Sequence, residues 1–217
     1  MGSSDDNARI ELESYEAILK GARTVTKQNV VEIGSQNGWD AERLANTFDI
    51  LPYNVYIIEA HPGFYESIKT RYPDFNVFNL AGSDKNGTVT FNAAKNFDDG
   101  RSSFKDRDIY DSDIFTKVEV ESVRMDKFIE DNKIKEIDIL KIDVEGATYE
   151  VLEGFGDKLD IVKTIQLEAE LAPLWPDAML WDDIKLFLEK NNFRCFWTND
   201  IASVQIDSVW VNNKYEM

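Results

Sequence analysis

The chain has 217 residues, enough for one domain with a sizeable core. Apolar residues make up 43% and charged residues 30%, an ordinary globular balance, and no apolar run reaches the length of a membrane span. The net charge of −17 leaves no cationic cluster to grip phosphate backbones or anionic lipid, so neither a nucleic-acid nor a membrane partner is expected and a neutral substrate such as a sugar fits better.

The first seven residues, MGSSDDN, are small and polar and read as a tag-derived scar with a frayed end. Residues 8–217 are expected to form a single domain, compatible with excision from a longer protein. Ile10, Leu12, Tyr15, Ile18 and Leu19 fall at helical spacing within residues 8–22. The apolar run of Val30, Val31 and Ile33 predicts a first buried strand over 29–33. A helix over 38–48, a strand over 54–58 and a helix over 62–71 follow, then a third strand over 75–80 and an extra strand at TVTF, 88–91.

Residues 93–116 are polar and aperiodic, and a loop of that length is expected to close over a substrate. VEVES, 118–122, alternates as a half-buried strand, and a short helix occupies 125–131. IDILKIDVEG, 137–146, reads as a fourth core strand with an acidic exit, and ATYEVLEGF as a helix. KTIQLEAEL, 163–171, is the fifth strand; helix 181–191 and an antiparallel pair, FRCFW and SVQIDSVWV, close the chain. Strands alternating with helices imply a mainly parallel α/β sheet. The lone Cys195, in FRCFW, rules out an internal disulfide, fits a reducing cytoplasmic location and is expected to be buried and inert.

Two motifs carry chemistry. In VVEIGSQNG, Gly34 and Gly38 bracket a turn from strand to helix. A dinucleotide site has GxGxxG there, whereas this turn has Gln36 at the middle position and an acid, Glu32, that would repel a pyrophosphate. Glu32 suits a ligand carrying an ammonium and a sulfonium, as S-adenosylmethionine does. In VYIIEAHP, Glu59 ends the second strand about 20 residues beyond Gly38, where an acid reaches ribose hydroxyls. Each motif alone is as well explained by a turn or a solvated strand end; together, in order, they favour a nucleoside site.

With these motifs and IDILKIDVEGATYEVLEGF in view, the chain resembles the FkbM family of S-adenosylmethionine-dependent methyltransferases over about residues 29–198. KIDVEGA is the most specific element. The resemblance implies a class I methyltransferase fold, Rossmann-like and doubly wound, with a seven-stranded sheet whose last strand is antiparallel. It implies O-methyl transfer to hydroxyls of sugars, glycans or polyketide-type products. Glu32, Gly34, Ser35 and Gly38 would hold the methionine end of the cofactor, Glu59 and Ala60 the ribose, and Ala81, Gly82 and Ser83 would lie near the adenine. Asp143 and Glu145 would sit at the methyl-transfer end. A glycan role would also make a fused or associated glycosyltransferase domain sensible. The chain departs from the family in Glu32, where aspartate is usual, in Gln36 for a small residue, and in Ala60 for proline. Glu168-Ala169-Glu170 stands in place of a glutamate followed shortly by histidine, which leaves the catalytic base open.

A sugar hydroxyl is a weak nucleophile and needs a base or a metal. The only histidine, His61, follows Glu59 and reads as a helix cap. Acids remain: Asp143 first, then Glu145, Glu168 and Glu170. Asp143, Glu168 and Glu170 could instead hold Mg2+ or Mn2+, which prefer oxygen ligands. Arg101, Ser102 and Ser103 could bond substrate hydroxyls, and Trp175, Trp181 and Trp197 could stack on a sugar, although most such tryptophans are core. Three alternatives stand beside the sugar reading: a non-sugar acceptor, a non-catalytic nucleoside-binding domain, and a nicotinamide oxidoreductase. The last rests on Tyr65 and Lys69, a YxxxK pair too early in the chain for such an enzyme.

Overall fold

The structure is a computed structural model and describes residues 17–21, 26, 29–97, 99–106, 113–199 and 204–215. Residues 1–7, and the part of the expected first helix before residue 17, lie outside the described residues; 17–21 are helical, with Leu19 buried.

A seven-stranded sheet forms the centre, in the order β3-β2-β1-β7-β8-β10-β9. β1 (Val30–Ile33), β2 (Val55–Ile58), β3 (Asn76–Phe78), β7 (Ile137–Ile142) and β8 (Val162–Glu170) pair in parallel. β10 (Gln205–Asn212) runs antiparallel to both β8 and β9 (Phe193–Thr198), so the last strand is reversed as the resemblance implied. Helices cover both faces: α1 (Trp39–Phe48), α2 (Pro62–Arg71), α3 (Met125–Asp131), α4 (Thr148–Phe155) and α5 (Trp181–Lys190). That double cover explains why β1, β2 and β7 are near-continuous apolar runs.

Strand alternation sorts the core into two layers. Val31, Ile33, Leu140 and Ile142 join Phe128, Leu152, Phe155 and Trp210 on the α3, α4 and α5 side. Val30, Val55, Ile57 and Ile139 join Leu44, Phe48, Phe64 and Ile68 on the side of α1 and α2. By the same two-residue period, Glu32, Glu59, Lys141 and Asp143 belong to the α1 side, at the carboxyl ends of their strands.

Local chemistry sets the helix starts. α1 follows Gly38, which has φ 80° and lies so close to Tyr72 that a Cβ would come within 2.6 Å of its ring. Asp40 and Glu42 in its first turn favour the helix dipole. α2 begins at Pro62 and is capped by His61, whose Nδ1 accepts from the Gly63 and Phe64 N–H groups. The His61 proton therefore sits on Nε2, which donates to the Ala94 carbonyl at 2.9 Å. The Tyr65–Lys69 pair lies on the exposed surface of α2, Lys69 donating to the Tyr65 hydroxyl at 2.7 Å, and neither residue lines the pocket described below.

Two features depart from the sequence reading. A second sheet, β4 (Ala81–Ser83), β6 (Phe115–Arg124) and β5 (Gly87–Ala94) in that order, lies beside the first. The sequence places strands at 88–91 and 118–122, but β4 has only three residues and periodicity along a strand does not reveal its partner. Cys195 is exposed, as is its neighbour Phe196 on the opposite face, because β9 is the edge strand of the sheet and is incompletely covered on both sides there. No helix among the described residues is long and apolar enough to cross a membrane.

The two sheets meet where α4 packs on β4. A Cβ on Gly154 would fall 2.0 Å from the Ser83 carbonyl oxygen, which belongs to backbone and cannot swing aside. Gly154→Ala is expected to destabilise the fold by about 1–3 kcal/mol, the usual range for overpacking. Urea denaturation measures it; an unchanged midpoint would mean that the interface is looser than described.

Candidate active site

The strand order reverses direction between β1 and β7, and a crevice opens at their carboxyl ends, the usual ligand position in open α/β sheets. It is a cavity of about 320 Å³, within the small-molecule range.

The turn after β1 builds one wall. Gly34 has φ 76°, and a Cβ there would lie 1.8 Å from the Asp143 carbonyl oxygen, so the neighbouring strand exits touch through this glycine. Glu59 ties the turn to β2: its Oε2 accepts from the Ser35 and Gln36 N–H groups at 2.9 Å each, and its Oε1 from the His61 N–H at 2.7 Å. Ser35 also donates its hydroxyl to Glu32 at 2.5 Å. One serine thus links the two carboxylates that the motifs single out.

Of the expected cofactor residues, Gly34, Ser35, Glu59, Ala60, Ala81, Gly82 and Asp143 line the cavity. Glu32, Gly38 and Ser83 do not. Glu32 is fully buried beneath the wall, Gly38 supports the α1 start against Tyr72, and the Ser83 hydroxyl donates to Asp84 at 3.0 Å.

The far wall is acidic. The turn Asp143-Val144-Glu145-Gly146 leaves β7 with Glu145 at φ 50° and Gly146 at φ 86°. A left-handed glutamate is strained backbone of the kind that persists where the surroundings impose it. Trp175 imposes part of that turn: it is fully buried, and a Cβ on Gly146 would lie 2.7 Å from its ring. Trp175 therefore offers no face to the cleft, which corrects its assignment as a substrate-stacking residue. Trp181 packs on the core near Trp210, ring centres 5.6 Å apart, and Trp197 packs against the layer on the α1 side.

Asp143, Glu145 and Glu168 each offer one carboxylate oxygen, and these lie within 4.8 Å of one another. Glu170 stands outside that group of three among the described residues. It is buried, and its Oε2 has no hydrogen-bond partner. Burial, reinforced by Asp143 and Glu145, pushes the Glu168 carboxyl up to about 9, and burial lifts Glu170 to about 7. Glu168 also accepts from the Gln205 amide at 2.6 Å.

The expected loop is shorter than 93–116, because β5 runs to Ala94 and β6 begins at Phe115. Its residues 99–106 cross the pocket, where Gly100, Ser102 and Phe104 line the cavity, while 98 and 107–112 lie outside the described residues. The Ser103 hydroxyl donates to the Glu145 carbonyl at 2.7 Å and pins the loop to the acidic turn. Lys105 pairs with Glu150 on α4 and donates to the Asp177 carbonyl at 3.0 Å. Of the expected substrate residues only Ser102 lines the cavity, and its hydroxyl accepts from the Ala94 N–H at 3.0 Å. Arg101 lies outside the lining and bonds Asp99 at 2.6 and 2.8 Å.

Sequence reasoning missed Asp40 and Lys141, which line the cavity and pair at 2.9 Å. The available signal was a single lysine inside the apolar run IDILKI.

The raised Glu168 carboxyl has a consequence for stability. A carboxyl whose folded value lies above its ordinary value near 4.5 holds its proton better in the folded state. Its contribution is complete below about 4.5 and is lost as pH rises toward about 9. Glu168→Gln removes that loss, so the variant's melting temperature is expected to exceed the parent's by more at pH 8 than at pH 5. Equal differences at both pH values would contradict the assignment.

The sequence model of the methyltransferase FkbM domain matches residues 32–195, well over half of the chain. No curated protein sequence matches. Among solved structures, the methyltransferase FkbM from Methylobacillus flagellatus KT superposes with a TM-score of 0.56 at 13% identity, over 85% of this chain and 43% of that one. The chain thus spans less than half the length of that relative. Magnesium protoporphyrin IX methyltransferase from Synechocystis PCC 6803, solved with bound S-adenosylmethionine, superposes with a TM-score of 0.54 at 11% identity, over 95% of this chain and 80% of that one. At such identities the superpositions establish the fold, class I methyltransferase, while the domain match carries the family. The chain belongs to the FkbM family of S-adenosylmethionine-dependent methyltransferases.

Proposed function

We propose that the chain transfers a methyl group to a hydroxyl of a sugar or glycan. The observation that carries this reading is the composition of the cavity: a strand-end carboxylate, Glu59, at one side and the acidic exit of β7, with Asp143 and Glu145, at the other, where Glu168 of β8 stands beside them.

The residues present fit the cofactor. Four carboxylates, Asp40, Glu59, Asp143 and Glu145, and one ammonium, Lys141, line the cavity, a balance suited to a cationic ligand and hostile to a pyrophosphate. Beneath the wall, Glu32 Oε1 is buried without a hydrogen-bond partner among the described residues. Glu59 and Ala60 would hold the ribose, Ala81 and Gly82 the adenine side, and Gly34 and Ser35 the methionine side. Bound S-adenosylmethionine supplies a methyl carbon on a sulfonium leaving group. The chain must exclude water, orient the acceptor oxygen and take its proton.

Asp143 is the assigned proton acceptor, with its carboxylate at the cavity wall and held by Lys141 at 3.2 Å. Glu168 is a poorer base near neutral pH because burial keeps it protonated. Glu145 helps shape the acceptor side, and Ser102 stands where an acceptor hydroxyl can reach it. A carbohydrate acceptor agrees with the acidic net charge, and a glycosyltransferase partner would deliver it.

Calorimetric titration with S-adenosylmethionine, S-adenosylhomocysteine and NAD+ tests the cofactor. The two sulfur ligands are expected to bind with micromolar affinity (about −8 kcal/mol). Glu59→Ala is expected to weaken both by at least about tenfold, the loss of a charge-assisted hydrogen bond. Binding of NAD+ alone would overturn the reading. Incorporation of labelled methyl into sugar and non-sugar hydroxyl acceptors then identifies the substrate class; cofactor binding without turnover on either would favour a non-catalytic nucleoside-binding domain.

A second reading, in which a divalent cation assists, is favoured by the convergence of Asp143, Glu145 and Glu168. Three hard oxygen donors suit Mg2+ or Mn2+, and a cation would relieve the repulsion felt by Glu168. If it holds, Mn2+ raises the melting temperature of the parent and not of Glu168→Gln, and EDTA abolishes methyl transfer. Turnover undiminished by EDTA leaves the base mechanism.

A further inference from the structure

Lys141 is a charged residue placed inside a buried strand, and holding Asp143 uses only one of its N–H groups. It stands opposite Glu32 in the parallel register of β1 and β7, on the sheet face that meets α1. Its side chain is 9% exposed, and it is the one cation among the described residues that line the cavity. Its ammonium lies among three carboxylates, 2.9 Å from Asp40, 3.2 Å from Asp143 and 3.7 Å from Glu32.

An ammonium has three N–H donors. Two are used, on Asp40 at 2.9 Å and Asp143 at 3.2 Å. Among the described residues the third has no hydrogen-bond acceptor: the remaining carboxylate, Glu32 Oε1, is at an ion-pair distance of 3.7 Å, beyond hydrogen-bonding reach, and accepts no hydrogen bond itself. A lysine serving only to neutralise Glu32 would close that gap. This one stays tethered between two acids with an unused donor at a ligand-sized cavity. The start of α1 forms the same wall through Trp39 and Asp40, with the Gly38 and Trp39 N–H groups donating to Ser35 Oγ and Asn37 Oδ1. Lysine, helix start and flanking acids together present a cation beside anions, the complement of an amino-acid zwitterion.

We propose that Lys141 is the specificity residue for the amino-acid end of the cofactor, donating its unused N–H to the α-carboxylate while Asp40 faces the ammonium. The inference rests on the cofactor reading above. It assigns Lys141 a role in ligand selection separate from the ribose contact at Glu59.

Calorimetry on the full chain with three ligands tests it. S-adenosylhomocysteine carries both charged groups, its decarboxylated analogue keeps the amine alone, and 5′-methylthioadenosine lacks the amino-acid end. In the parent, the decarboxylated analogue is expected to bind on the order of tenfold to a hundredfold more weakly than S-adenosylhomocysteine, the range of a charge-assisted hydrogen bond. Lys141→Met should weaken S-adenosylhomocysteine by the same factor, leave 5′-methylthioadenosine unchanged, and bind the decarboxylated analogue no more weakly than the parent does. Equal weakening of all three ligands would make Lys141 merely structural and overturn the proposal. If Lys141→Met does not fold, the parent decides: equal affinity for S-adenosylhomocysteine and its decarboxylated analogue overturns the proposal. A parent that binds none of the three removes the cofactor reading and the proposal with it.

Discussion

The pairing of β1 with β7 is the contact on which the site depends. The two strands lie more than a hundred residues apart in sequence, yet Glu32 stands opposite Lys141 and Ile33 opposite Ile142. A slip of one residue would turn Lys141 into the apolar layer of Trp210 and Phe155, at the cost of an unpaired buried charge. The apolar alternation of both strands forbids that slip. Register therefore follows from hydrophobic burial, and the charged groups are carried into place by it. The touch of Gly34 on the Asp143 carbonyl then sets how closely the two strand exits approach.

The carboxylates around this seam do different jobs because their surroundings differ. Glu59 accepts three backbone N–H groups and acts as the brace of the first turn. Burial raises the Glu32 carboxyl against the opposing pull of Lys141, while Lys141 and Arg43 hold Asp40 below its ordinary value despite burial. Glu168 and Glu170 are raised mainly by burial. Acidity along the cleft is thus graded by contact and desolvation rather than by residue type.

The second sheet and the crossing loop complete the cavity. β4 supplies Ala81 and Gly82, β5 supplies Phe91, and the loop supplies Gly100, Ser102 and Phe104. Three tethers hold this cover down: the Asn92–Ser103 bridge, the Ser103 bond to Glu145, and the Lys105 pair with Glu150. His61 joins the cover to the base, since one ring nitrogen caps α2 and the other donates to the end of β5. The cover is thus attached both to the acidic turn and to the helix that follows Glu59.

The central sheet was legible from sequence because its strands are buried on both faces and read as unbroken Val and Ile runs between glycine turns. Glu59 and the KIDVEG exit were legible because an acid directly after such a run must lie at a strand end. Strands at 88–91 and 118–122 were legible, but their pairing with each other and with β4 was not, since β4 has three residues and alternation along a strand does not name its partner. Nor was the burial of Trp175, or the exposure of Cys195, because each depends on which neighbour covers one face. The same holds for Lys141: sequence places a lysine in a strand, but its proximity to Asp40, Asp143 and Glu32 is a product of register across three elements. Local pattern determined the strands, the turns and the α/β class, because backbone preference and burial act over a few residues. Only the tertiary structure decided which carboxylates share a wall, because charge interactions depend on distance in space.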